Sequence, residues 1–304
     1  MRAVFVDASE ALAAVFRRLW RESDPSVAIH RDVNVTPEEL PDVLAGAEIA
    51  IIDHTALPVE IAKLCKGLKH VVFLGTGARS YMDPEALAAL GIEVHIIKSY
   101  GDTAVAECAF GLMWASARGF ARMDGGMRSG QWLRTEGMEL TGKTIGLVGF
   151  GGIAAEMARL AHGCGMKVLA WNRTPREHAN VTFVSLEELL AQSHVVSMHL
   201  LLNDETRGFL SAERIALMRK GVILINTARG AVVDEGAMVE ALRSGQIGHA
   251  GLDVFTTEPL PVDHVLTILP NVTLSAHSAF RTPEASDNLI EAALQHCRRI
   301  ARAG

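Results

Sequence analysis

The amino-acid sequence predicts an α/β protein made of two doubly wound parallel-sheet domains. Three observations carry this. Short apolar runs of strand length alternate with amphipathic helical periods, the alternation occurs in two separate series, and 304 residues is about twice the usual domain length.

The first series runs to about residue 100. "AVFVD" is followed by "EALAAVFRRLWRE", "VAIHRDV" by "PEELPDVLAGA", "EIAIIDH" by "PVEIAKLCKG", "KHVVFLG" by "DPEALAALG", and "IEVHIIKS" closes it. Near-continuous apolar strands joined by helical segments make a parallel sheet covered on both faces, here a flavodoxin-like sheet of five strands. Next comes "GDTAVAECAFGLMWASARGF", apolar nearly all round, a pattern expected of a helix buried on several sides, between domains or between subunits. The loop "RSGQWLRTEGMELTGK" leads into the second series: "TIGLVG", "MKVLAWN", "HVVSMHL", "GVILINT", "HAGLDV" and "VTLSAH". Six strands with intervening helices predict a complete Rossmann sheet. The last helix, "PEASDNLIEAALQHCRRIARA", has no strand after it and is expected to return to the first sheet. The expected domains are therefore 1-100 plus 283-304, which is discontinuous, and 101-282.

Composition excludes some functions. A net charge of -6 and a pI near 6.1 offer no basic footprint for nucleic acid or an anionic membrane. The basic pairs Arg17-Arg18 and Arg298-Arg299 read as solvated helix faces. Cys65, Cys108, Cys164 and Cys297 are scattered in apolar surroundings without metal-ligand spacing, as expected of buried small hydrophobes in a reducing compartment, and no metal is expected. No signal-peptide core and no segment of membrane-spanning length is visible, which makes the cytoplasm the expected location.

In "TIGLVGFGGIAAEMARLAHGCGMKVLAWN", Gly149 permits a tight turn after a strand. Gly151 lets the backbone approach a pyrophosphate, with Gly152 and Ile153 opening a helix whose N-terminus faces the anion, and Ala154 allows close helix-strand packing. The tip of the next strand is where an acidic residue ordinarily binds the ribose of NAD. Here it reads Asn172, Arg173, Thr174, and a cation suits a 2'-phosphate, so NADP(H) is expected ahead of NAD(H).

A lone arginine, Arg229, ends the apolar run "GVILINTARGAVVDEG". The stretch "NTARGAVVDEGAMVEALRSGQIGHAGLDVFTTEPLP" followed by "VTLSAHSAF" resembles the D-isomer-specific 2-hydroxyacid dehydrogenases, which include glyoxylate/hydroxypyruvate reductases. The likeness runs from about Gly67 to the end and is densest from Glu139 to Glu284. It implies a hydride transfer between a nicotinamide cofactor and a small 2-keto or 2-hydroxy acid, and a homodimer. It implies Arg229 as the group that binds the substrate carboxylate, His277 as catalytic acid/base and Glu258 as its carboxylate partner. Asp253 and Ala228 fall near the cofactor, and Gly75, Thr76 and Gly77 of "FLGTGA" on a loop that holds the substrate. His54 and Thr55 are lesser candidates for substrate contact, and His199 for the nicotinamide pocket.

The chemistry agrees with these residue types. Reducing a keto group makes its oxygen negative, so a proton donor must lie within reach while a cation holds the carboxylate. A carboxylate beside an imidazole favours its charged form, and a guanidinium fixes a carboxylate with two prongs. The sequence departs from the family at Ala276 and Phe280, which flank the histidine, at Ala78-Arg79 after "GTG", and at Leu201, leaving the substrate side chain open. Formate or phosphite oxidation on a similar scaffold is one alternative, and a nucleotide-sensing, corepressor-like binding protein is another.

Overall fold

The computed structural model describes residues 1–30, 32–174 and 176–303, with only the backbone of residue 303. The chain forms two compact units: Met1–Gly101 together with the chain from Arg281 onward, and Asp102–Phe280.

In the first unit five parallel strands, β1 (Arg2–Phe5), β2 (Ser26–Ile29), β3 (Ile49–Ile52), β4 (His70–Phe73) and β5 (Glu93–Ile96), are ordered β2-β1-β3-β4-β5. Central β3, "IAII", is buried at every position, which accounts for its lack of apolar-polar alternation. Helix α1 (Glu10–Leu19) starts where the Ser9 side chain accepts a hydrogen bond from Leu12 N. The segment "PEELPDVLAGA" does not make one helix: a 3-10 turn, Pro37–Glu39, precedes the four-residue α2 (Leu40–Val43), because Pro41 has no N–H for a continuous ladder. Then come α3 (Val59–Ala62) and α4 (Pro84–Ala89), the latter capped by Asp83, which accepts from Glu85 N and Ala86 N.

The second unit opens with α5 (Asp102–Arg118) and α6 (Phe120–Arg128). Within it α5 leaves only a narrow stripe exposed, Thr103, Glu107, Gly111 and Arg118, and buries Ala104, Ala106, Ala109, Leu112, Met113, Ser116 and Ala117, with Cys108, Phe110 and Trp114 partly buried beside them. The helix is thus buried on more than one side within its own unit, as its apolar sequence leads one to expect. Its small residues pack closely on the following sheet: a Cβ on Gly251 would lie 3.0 Å from Ser116 Oγ. The sheet has seven parallel strands: β6 (Thr144–Val148), β7 (Lys167–Trp171), β8 (Thr182–Phe183), β9 (Val195–Met198), β10 (Val222–Asn226), β11 (Ile247–Leu252) and β12 (Val272–Leu274), in the order β12-β11-β10-β9-β6-β7-β8. The two-residue edge strand β8 is additional to the six expected; it is too short to leave a periodic signal. Helices α7 (Gly152–Gly163), α8 (Leu186–Gln192), α9 (Ala212–Leu217), α10 (Glu235–Ser244) and α11 (Val265–Ile268) connect them. Val148, Val196, Leu224 and Ala250 face one buried cluster of the sheet, and Ile145, Leu147, Val195 and Ile225 face the other, so both faces are covered.

The last helix, α12 (Pro283–Ala303), belongs to the first unit, where Leu289, Ile290, Ala293, Leu294 and Cys297 pack with Leu12 and Phe16 of α1. Arg298 is not on a solvated face, contrary to the reading of its sequence. Its guanidinium donates to both carboxylate oxygens of Asp24, at 2.7 and 2.9 Å, and to Glu291 at 2.7 Å. All four cysteines are free; Cys65 and Cys297 are buried, while Cys108 and Cys164 keep partial exposure, less buried than expected. No helix among the described residues is long and apolar enough to cross a membrane.

Candidate active site

The reversal of strand order between β6 and β9 leaves a crevice at the strands' carboxyl ends, the usual place for a ligand on such a sheet. Gly149 follows β6 with φ of 90°, and a Cβ there would come within 2.8 Å of the His199 carbonyl oxygen after β9. Only glycine satisfies both the turn and the close approach. Gly151 is the extended residue before α7. No side chain caps that helix, and the space a Cβ would occupy at Gly151 is open. Uncapped helix N–H groups beside an open backbone suit a pyrophosphate, so the residues present fit a dinucleotide. Gly152 is closed on its other side by the Asp102 carboxylate, and Ala154 is fully buried.

At the tip of β7, Asn172 Oδ1 accepts from Phe150 N at 3.1 Å while its Nδ2 donates to the Thr174 carbonyl at 2.8 Å. Asn172 thus pins the glycine-rich turn to the β7 tip. Arg173 stands in solvent and pairs with Glu205 at 2.7 Å. After β9, His199 keeps partial residue exposure but its Nε2 is enclosed without a partner, and burial pushes the imidazole down to about 4, so the ring is neutral.

Three adjacent strands, β10, β11 and β12, end in Arg229, Glu258 and His277 respectively or in the loops that carry them. Asn226 shapes the first of these turns: its Oδ1 accepts from Ala228 N and its Nδ2 donates to the Arg229 carbonyl, each at 3.0 Å. The Arg229 guanidinium donates to the Ala228 carbonyl at 2.7 Å, and among the described residues no carboxylate lies within ion-pair distance of it. Gly230 follows because the β11 loop runs against it; a Cβ would lie 2.0 Å from the Phe255 carbonyl carbon. The same Phe255 donates its N–H to Glu258 Oε1 at 2.8 Å, and Glu258 Oε2 lies 2.6 Å from His277 Nδ1. The Arg229 turn, the carboxylate and the imidazole are therefore linked through consecutive contacts: Gly230 against the Phe255 backbone, the Phe255 N–H to Glu258, and Glu258 to His277.

With Nδ1 held by the carboxylate, the proton on that nitrogen faces Glu258 and Nε2 is the nitrogen presented outward. Among the described residues Nε2 has no hydrogen-bond partner, and the side chain is 40% exposed. His277 sits at φ of 47°, a left-handed conformation that costs a non-glycine residue roughly 1–3 kcal/mol and persists only where its surroundings impose it. Asp253 imposes it. Fully buried at the end of β11, it accepts from His277 N through its carbonyl at 2.7 Å, and its carboxylate accepts from Ser278 N and Ala279 N, each at 3.0 Å. Sequence reading placed Asp253 by the cofactor without seeing this anchoring, because its partners Ser278 and Ala279 lie 25 and 26 residues along the chain and leave no local signal of it.

In the first unit, Gly75 follows β4 and Thr76 is exposed, with Gly77 opening a 3-10 turn, Ala78–Ser80. Arg79 pairs with Glu85 in solvent. His54 and Thr55 are engaged by buried Asp7, which also accepts from the backbone N–H groups of Asp53, His54 and Thr55 at 2.7 to 2.8 Å. Asp7 is a structural residue that sequence reading passed over.

A family model described as D-isomer specific 2-hydroxyacid dehydrogenase, NAD binding domain, matches residues 110–279. The chain belongs to that family. Among relatives of this dehydrogenase, the glycerate dehydrogenase of Methylorubrum extorquens is 35% identical over 266 residues, covering 84% of this chain and 83% of its own. The hydroxypyruvate reductase of Thermotoga maritima is 36% identical over 255 residues, covering 82% and 83%. A Thermus thermophilus crystal structure superposes over 100% of this chain and 97% of that one, with a TM-score of 0.88 and 34% identity. The dehydrogenase family uses NAD(P), and the second unit contains the matched NAD-binding region.

Proposed function

We propose that this dehydrogenase reduces small 2-keto acids, of the glyoxylate or hydroxypyruvate kind, with His277 as the proton donor. Relatives named glycerate dehydrogenase, hydroxypyruvate reductase and glyoxylate reductase support the substrate class. The observation that carries the role of His277 is its 2.6 Å contact with Glu258, which leaves Nε2 open toward solvent. The bound dinucleotide supplies the hydride. Arg229, with guanidinium donors unclaimed by any carboxylate among the described residues, holds the substrate carboxylate, and the Gly75, Thr76 and Gly77 backbone assists. As negative charge grows on the keto oxygen, Nε2 of the imidazolium gives it a proton while Glu258 retains Nδ1. In the reverse direction, neutral His277 takes the hydroxyl proton. Asp253 acts as a positioning residue for the His277 loop.

NADP(H) is the favoured cofactor in this reading, with Gly149, Gly151, Gly152 and Ile153 at the pyrophosphate, Asn172, Arg173 and Thr174 at the ribose, and Ala228 near the nicotinamide. A solved imino acid reductase that is 27% identical was captured with NADPH. Arg173 must exchange Glu205 for the 2'-phosphate, an exchange that costs little because an exposed ion pair contributes about 0–1 kcal/mol. A homodimer is proposed through the α6 region, where Phe120, Met127 and Trp132 are exposed. A cytoplasmic location accords with four free cysteines.

The deciding experiment follows NADPH and NADH absorbance with a panel of 2-keto acids. Oxidation of NADPH by glyoxylate or hydroxypyruvate is expected; silence across the panel with both cofactors would end the proposal.

A further inference from the structure

Three ligating side chains meet on one face of the first sheet, at the amino ends of β4 and β5. His70 and Glu93 are register partners on these neighbouring strands, and the two-residue period of a strand puts His95 on the same face as Glu93. His70 Nδ1 lies 3.2 Å from His95 Nε2, and Glu93 Oε2 lies 3.7 Å from each of those nitrogens. A point equidistant from the corners of that triangle is about 2 Å from each, the length of a zinc bond to imidazole nitrogen or carboxylate oxygen. The sides are also close to the spacing of about 3.3 Å that ligands adopt around a tetrahedral ion with such bonds.

The surroundings permit an ion to enter and be held. The two imidazoles are mostly enclosed, with side-chain exposures of 22% and 13%, whereas the Glu93 carboxylate is 68% exposed. They line a surface depression of about 550 Å³, shared with Met1, Lys69 and Arg299. Its cations are partly engaged: Lys69 and the chain's amino group face Glu48, at 2.8 and 3.9 Å, and Arg299 faces His296 Nδ1 at 2.7 Å. The His296 ring rests against that of His95, with centroids 5.4 Å apart, and so backs that ligand instead of joining it. Three protein donors of the imidazole and carboxylate kind, with a fourth position toward water, are a donor set for a borderline divalent ion such as zinc.

We propose that His70, Glu93 and His95 form a binding site for one divalent transition-metal ion of the zinc class. The site is at the opposite end of β4 from the Gly75–Gly77 loop, so it is separate from the substrate contacts proposed above. Its ion clasps edge strand β5 to β4 and stabilises the first unit by mass action.

The test is titration of chelator-treated protein with zinc chloride, read by competition with a chromophoric zinc indicator and by thermal unfolding, and with cobalt chloride, read by visible absorption. The expected result is one tightly held zinc per chain, a raised unfolding midpoint and a tetrahedral cobalt spectrum. His95→Asn and the exposed-site variant Glu93→Gln should each weaken binding by about 10-fold or more, at least the loss seen when a ligand's own supporting partner is removed. His277→Ala should bind zinc as the wild type does, which separates this site from the Glu258–His277 pair. Absence of stoichiometric uptake, uptake unaffected by Glu93→Gln, or uptake lost in His277→Ala would overturn the proposal; if His95→Asn fails to fold, Glu93→Gln decides.

Discussion

Glu258 Oε2 lies 2.6 Å from His277 Nδ1, while its other oxygen accepts the Phe255 N–H at 2.8 Å. The carboxylate is thus fixed to its own loop at one end and fixes the imidazole at the other. Removing its charge while keeping its shape, by Glu258→Gln, should lower turnover about 10²-fold, and His277→Ala should lower it about 10² to 10⁴-fold. In both variants cofactor affinity, measured by fluorescence titration, should stay near wild type. Turnover of His277→Ala within a few-fold of wild type would remove the histidine from its proposed role.

Asp253 makes a second prediction. Its carboxylate takes two backbone N–H groups of the loop that holds His277 in a left-handed conformation. Asp253→Asn turns one acceptor into a donor facing an N–H, which should destabilise the protein by about 1–3 kcal/mol. The same change should reduce turnover more than it raises KM for the keto acid. An equal loss in both, with unaltered unfolding, would mean that Asp253 does not position the loop.

The pairing of Arg173 with Glu205 bears on cofactor choice. Arg173→Ala should raise KM for NADPH by about 10-fold or more, as expected for loss of a charged hydrogen bond of about 1.5–3 kcal/mol, and leave NADH nearly unchanged. Glu205→Gln should lower KM for NADPH a few-fold by freeing the guanidinium. Kinetics with both cofactors check this, and an Arg173→Ala variant with unaltered NADPH kinetics would count against the NADP(H) reading.

His54 makes stability depend on pH. Its hydrogen bond to Asp53 raises it to about 9, the charges of Asp7 and Asp53 acting the same way and burial opposing them. A group raised above its unfolded value of about 6.5 contributes stability that is complete below that pH and is lost as pH rises toward about 9. The difference in thermal midpoint between wild type and His54→Asn should therefore be larger near about pH 6 than near about pH 10. A difference that stays constant or grows with pH would contradict the assignment.

Arg298 and Asp24 tie α12 to the chain before β2, with side-chain exposures of 18% and 2%. The arginine holds the Asp24 carboxyl below its usual range chiefly through their hydrogen bonds. Arg298→Ala leaves a buried carboxylate unpaired and should cost about 3 kcal/mol, whereas Arg298→Met combined with Asp24→Leu should recover much of it. Denaturant unfolding of the single and double variants checks both values.

Sequence alone determined the two parallel sheets, the glycine turn after β6 and the chemical types at the site, because strand and helix periods and the needs of a tight turn are written in residues close together along the chain. Arg229, Glu258 and His277 were visible as a cation, an acid and an imidazole ending successive strands. Their connection through Gly230 and Phe255 was not. Tertiary structure decided which charges meet: Glu205 against Arg173, Asp24 against Arg298, Asp253 beneath the His277 loop, and His70 beside Glu93 and His95. These partners lie tens or hundreds of residues apart, and a charge or hydrogen-bonding group takes whichever partner folding brings within a few ångströms, so no local pattern announces the pair.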